Sequence, residues 1–73
     1  MEDWKVRLLE EQKDLKGRIV KLVCFMNSLD FYEISEDERV LLHKQLECME
    51  QYNYVLIKRI VLLGLNGKTK VSE

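Results

Sequence analysis

The stretch Asn27–Glu38, NSLDFYEISEDE, decides how this chain folds. Asn27, Ser28 and Asp30 cluster the residues whose short polar side chains compete with helical backbone bonding, so the segment to Ile34 reads as a connection. Ser35-Glu36-Asp37-Glu38 is a capping box. The Ser35 hydroxyl can accept from the Glu38 amide, and the Glu38 carboxylate can reach back to the Ser35 amide. Three acids in the first turn also suit the positive end of a helix dipole. A helix therefore starts at Glu36, after a break that opens at Asn27.

On the N-terminal side, only Gly17 interrupts good helix formers from Glu2 to Met26. Trp4, Leu8, Leu15, Ile19, Leu22 and Met26 recur in steps of three, four and seven, which places them on one helical face, with Glu11 and Gln12 as polar interruptions. On the C-terminal side the stripe is Leu42, Leu46, Met49, Leu56, Ile60 and Leu63, interrupted by Asn53. This second helix is expected to end near Leu63 or Leu65, with Gly64 and Gly67 as candidate stops, because glycine tolerates the left-handed cap. The expected fold is all-α: an antiparallel two-helix hairpin forming one domain over 1–65, with a flexible C-terminal tail at 66–73. A turn centred near Phe31 pairs residues whose numbers sum to about 63. Leu22 then faces Leu41 or Leu42, Leu15 faces Cys48 or Met49, Leu8 faces Val55 or Leu56, Glu11 faces Tyr52, and Trp4 lies beside Arg59.

Such a hairpin leaves apolar residues over. Within Val55–Leu65, VLIKRIVLLGL, only Leu56, Ile60 and Leu63 can face the first helix, so Val55, Ile57, Val61, Leu62 and Leu65 point elsewhere. Leu9, Val20, Val23 and Cys24 are the matching surplus on the first helix. A contiguous exposed apolar patch usually marks an interaction surface, and a chain of 73 residues buries a small fraction of its surface when it folds alone, so it usually needs disulfides, a metal or a partner chain. The expectation is a homo-oligomer, either a dimer giving a four-helix bundle or a higher ring, associating through Val20, Val23, Val55, Val61 and Leu62. The alternative is a monomer whose patch docks onto a different protein.

Composition excludes several classes. The formal net charge is −1, without the basic excess of a binder of long nucleic acid. The charged N-terminus MEDWKVRLLEEQ has no apolar core of a signal peptide, and no stretch approaches the roughly 20 apolar residues of a membrane span. Cys24 and Cys48 lack CxxC spacing and fall about two turns apart in the hairpin register, too far for an internal disulfide. With His43 as the lone histidine, a zinc site is not expected. These features point to a cytoplasmic protein with reduced thiols and no metal or cofactor.

No catalytic constellation emerges. Cys48 points away from His43, and no oxyanion donors accompany them. His43 reads as a surface histidine one turn from Glu47. Glu10, Glu11, Asp14 and Arg18 read as helix-surface charges, with Asp14 and Arg18 spaced to pair. No glycine-rich phosphate loop is present. The chain is expected not to be an enzyme. Anion recognition has better support. Lys5, Arg7, Lys13, Lys16, Arg18 and Lys21 line the first helix, and Lys58 and Arg59 bring cations to the open end of the hairpin near Trp4, Tyr52 and Tyr54. Arginine forks grip phosphate and aromatic faces stack bases, so Trp4, Arg7, Arg18, Tyr52 and Arg59 are the candidate ligand-binding set. The structural alternative is that Trp4 and Tyr52 seal the core while the cations extend over it.

The spacing of Arg7, Glu11, Leu15, Ile19, Lys21-Leu22 and Phe25, then Phe31, then Leu41-Leu42, Gln45, Met49, Tyr52, Leu56 and Arg59-Ile60 resembles a family of very short phage proteins labelled crAss-phage-related. The likeness runs from Trp4 to Ile60; Gly17-Arg18 departs from it, and so does the chain beyond Leu62. It implies a phage origin and a helical hairpin in the host cytoplasm. The architecture is also similar to phage sponge proteins that oppose CBASS or Thoeris immunity by trapping cyclic nucleotide messengers between protomers. With the spare apolar face and the cations and aromatics of the open end, that likeness in architecture leads to the expectation of a counter-defence protein that sequesters a cyclic nucleotide as an oligomer. Its alternatives are an inhibitor that binds a host defence enzyme directly, as anti-CRISPR proteins do, and a structural or regulatory phage protein that only dimerises.

Overall fold

The computed structural model describes residues 3–65. The first helix, α1, is Asp3–Met26; a 3₁₀ turn follows at Leu29–Glu33; the second helix, α2, is Glu36–Leu62. The described residues contain no strand. The two helices lie side by side as a hairpin with extents of 46 × 25 × 15 Å. The expectations for Glu2, Gly67 and the tail at 66–73 lie outside the described residues.

The turn is built as its residues dictate. Ser28 Oγ donates to the Phe25 carbonyl at 2.6 Å and Asn27 Nδ2 to the Val23 carbonyl at 2.9 Å, so side chains add a second donor to last-turn carbonyls that already accept from the Ser28 and Asn27 amides. The Glu38 amide donates to Ser35 Oγ at 3.1 Å, which is the cap expected for α2. Arg39 Nη1 reaches back to the carbonyls of Ile34 (2.8 Å) and Tyr32 (3.4 Å), tying the connection to the helix it feeds. The turn also has a core of its own. Phe31 is buried and takes the rings of Phe25, Tyr32 and His43 edge-on at 6.2, 5.5 and 5.8 Å. His43, read from sequence as a plain surface histidine, is thus an exposed residue whose ring helps to cover Phe31.

The main core lies toward the open end. Leu8 and Leu15 of α1 bury themselves against Leu56 and Ile60 of α2, with Leu9, Ile19, Met49 and Leu65 packed around them. Gln12 and Asn53, one polar interruption from each stripe, meet here: Gln12 Nε2 donates to Asn53 Oδ1 at 2.9 Å. The facing pair is therefore Gln12 with Asn53, where a sum of about 63 had set Glu11 against Tyr52.

The end of α2 corrects two expectations. Gly64 has φ +69, and the Leu65 and Gly64 amides donate to the carbonyls of Ile60 and Val61, each at 3.0 Å. This is a Schellman closure, which folds Leu65 back over Ile60. Leu65, expected to point away, packs on the core, and Leu63, expected in it, is 39% exposed.

Candidate functional site

At the open end a shallow hollow of about 240 Å³ is lined by Trp4, Arg59, Leu62 and Leu63. Trp4 comes from the first turn of α1. Arg59 comes from the last full turn of α2, and Leu62 and Leu63 from where that helix stops. The register expectation that set Trp4 beside Arg59 is met. Trp4 is 43% exposed. Lys5 Nζ lies 5.6 Å from the Trp4 ring centroid and Lys58 Nζ 5.7 Å from that of Tyr54, so the cations of this end rest on aromatic faces.

The other candidate residues are distributed as follows. Arg7 is exposed and pairs with Asp3 at 3.2 Å, the one ion pair within 4 Å among the described residues; the expected Asp14–Arg18 pair does not form. Such an exposed pair contributes about 1 kcal/mol at most, so a bound anion can take Arg7 over at small cost. Tyr52 is half-exposed, two turns before Arg59. Arg18 is also exposed, but it is fourteen residues from Trp4 on the same helix, roughly 21 Å along the axis. One protomer therefore gathers Trp4 and Arg59, sets Arg7 and Tyr52 nearby, and leaves Arg18 apart.

A common direction nonetheless links four of the five, Trp4 lying on the core stripe itself. At about 100° per residue, Arg7 and Arg18 fall to one side of the buried Leu15, and Tyr52 and Arg59 fall to the same side of the buried Leu56. The Gln12–Asn53 bond marks the opposite side. By the same geometry the five residues expected to form an oligomer interface divide. Val55 and Leu62 share the side of Arg59, while Val61 lies on the other with Val20 and Val23. All but the half-buried Val23 are exposed, and Leu62 is 84% exposed. Leu62 and Leu63 as walls of the hollow were not foreseen, because their position depends on where α2 ends.

The hollow combines a cation, an indole face and two aliphatic walls, a set of groups suited to a flat, anionic organic molecule. Cys24 and Cys48 are free, exposed thiols. Among the described residues no three His, Cys, Asp or Glu side chains are grouped to hold a metal ion, and no helix is long and apolar enough to cross a membrane.

Comparison with curated proteins and with solved structures yields no match. One family model does match, over residues 2–62, a span that takes in both helices, the turn and every residue of the hollow except Leu63. Its description is Sequestin, and the chain belongs to the Sequestin family.

Proposed function

We propose that this chain is a non-catalytic phage counter-defence protein that binds a cyclic nucleotide immune messenger and withholds it from its receptor, acting as an oligomeric sponge in the host cytoplasm. The observation that carries this reading is the hollow where Trp4 and Arg59 meet between two leucines. An indole face is a platform for a base, and a guanidinium beside it is a fork for a phosphate. The family name, which speaks of sequestering, supports the same reading. Arg7, Arg18 and Tyr52 complete the proposed ligand set. A net charge near zero, with Lys5, Arg7, Lys58 and Arg59 beside aromatic side chains at the open end, favours a compact anion over a long polyanion.

The test is native mass spectrometry of the purified protein with and without a panel of cyclic di- and trinucleotides. A discrete ligand mass on an oligomer is the expected result. Failure of every nucleotide to bind would overturn the reading.

A second reading has its own support. At the turn end Leu29 is 83% exposed, with Tyr32, Val40 and Leu41 also exposed, and such a patch suits docking onto a host defence protein. Recovery of one stoichiometric host protein, with no nucleotide bound, would favour it.

A further inference from the structure

Helix α2 carries a second apolar stripe that the hairpin does not use. Leu41, Cys48, Val55 and Leu62 recur at a strict interval of seven, with Gln45, Tyr52 and Arg59 between them, and all seven are exposed. Each member of the heptad row immediately precedes a residue on the face turned to α1 (Leu42, Met49, Leu56, Leu63). The two stripes are thus about 100° apart, the angle at which a helix in a four-helix bundle meets its two neighbours. A seven-residue recurrence is the signature of a seam between two helices crossing at about 20°.

The row reads alike in both directions. Leucines stand at its ends, Cys48 and Val55 inside them, and Tyr52 next to the centre. Two copies running antiparallel therefore set Leu41 against Leu62 at each end and Cys48 against Val55 inside them, with both Tyr52 side chains at the centre. A parallel pair would stack Arg59 on Arg59 and Lys44 on Lys44, whereas antiparallel pairing separates the two Arg59 side chains by roughly 20 Å. The occupant that matches this stripe is a second copy of the same chain.

This arrangement has a consequence for the hollow. Trp4 lies beside Arg59 and Gln12 bonds Asn53 within the hairpin. The centre of the α2 row is therefore level with the region of Gln12 and Lys13 on α1. Turning a second copy about that level carries its α1 over the first and brings its Arg18 to the height of Arg7. On this side α1 reads Arg7, Glu11, Asp14, Arg18, with acids inside and arginines at the ends. Each end of the dimer then collects Arg7 and Arg59 from one copy and Arg18 from the other.

We infer that the chain forms an antiparallel dimer along Leu41, Cys48, Val55 and Leu62, and that the anion site at each end is composite, completed by Arg18 of the second copy. This rests on the site proposed above and supplies what one protomer lacks. The hollow of about 240 Å³ is smaller than the roughly 300–1,000 Å³ of pockets that engulf a ligand, and Arg18 is out of its reach within one chain.

Cross-linking tests the geometry without any ligand. In a Cys24→Ser, Cys48→Ser background, Tyr52→Cys is expected to oxidise largely to a covalent dimer, whereas Val55→Cys, which faces position 48 of the second copy and lies about 10 Å along the axis from its own counterpart, is expected to stay a free thiol. An equimolar mixture of Arg7→Cys and Arg18→Cys chains is expected to yield the mixed dimer with a short bismaleimide, while each chain alone gives little. Circular dichroism of each variant verifies that the helices persist. A monomer by sedimentation, strong self-cross-linking of Arg18→Cys alone, or a Cys48–Cys48 disulfide in the wild-type protein would overturn the antiparallel seam; the last two would indicate parallel pairing. Nucleotide binding without these cross-links would remove the composite site and leave the sponge. The cross-links without nucleotide binding would uphold the dimer and remove the sponge.

Discussion

Gln12 and Asn53 form the hydrogen bond that crosses from one helix to the other, at 2.9 Å beside the four-residue core. Two amides facing each other among leucines fix the axial register, because a slip of one residue in either helix rotates one amide away by about 100°. Gln12→Leu or Asn53→Leu alone leaves the other amide half-buried without this partner and is expected to cost about 1–3 kcal/mol. The double Leu variant is expected to recover most of that loss, since both polar groups are then gone. Urea denaturation of the four proteins gives the coupling energy. Additive losses would show that the bond contributes nothing.

The caps of α2 offer a second check. Ser35→Ala removes the acceptor for the Glu38 amide and is expected to cost about 1 kcal/mol. Gly64→Ala meets no neighbouring atom, yet it places a side chain at φ +69. Its expected cost of about 1 kcal/mol is backbone strain. Thermal unfolding by circular dichroism measures both. A neutral Gly64→Ala would mean that the closure over Ile60 is not held as described.

The hairpin was legible because its signals are local: a cap at Ser35, a polar cluster from Asn27, and two stripes of helical period. The meeting of Trp4 with Arg59 followed from register alone. What the letters hid depended on distances across the chain. Phe31 reads as a turn residue, and its burial appears only once the turn folds back and Phe25 and His43 close on it. Gln12 and Asn53 read as two separate flaws in two stripes, because a register off by a residue or two pairs the wrong side chains. The roles of Leu63 and Leu65 exchanged because the left-handed Gly64 redirects the chain within one residue. The spare face of α2 was visible as surplus, but the split of that surplus between two sides of the hairpin needed the observed facing of Leu8 and Leu15 on Leu56 and Ile60.

Among the described residues Leu56 is the most deeply buried side chain, 1% exposed, within a main core of four buried residues. Leu56→Ala is expected to cost about 2–5 kcal/mol, a large share of what so small a domain has. If a second copy supplies part of the stability, the midpoint of thermal unfolding should rise with protein concentration in the wild type. It should do so less in Leu62→Lys, which charges the exposed seam while leaving the core intact. A midpoint independent of concentration in the wild type would mean that the hairpin is stable on its own.

Arg59 separates the ligand site from the scaffold. Arg59 lines the hollow and is exposed, so Arg59→Ala is expected to leave helical content unchanged. Hydrogen bonds from a charged donor to phosphate contribute about 1.5–3 kcal/mol, so on the proposed function binding of a cyclic nucleotide is expected to weaken roughly 10- to 100-fold. Arg59→Lys keeps the charge but loses the planar fork, so an intermediate loss is expected. Trp4→Ala should weaken binding by a similar factor through lost stacking, about 1–3 kcal/mol, and, unlike Arg59→Ala, should leave the salt dependence of the affinity intact. Isothermal titration at two ionic strengths distinguishes these contributions. Wild-type affinity in Arg59→Ala would move the site elsewhere on the hairpin. An equal loss in every variant, accompanied by lost helicity, would assign Trp4 and Arg59 to the fold rather than to the ligand.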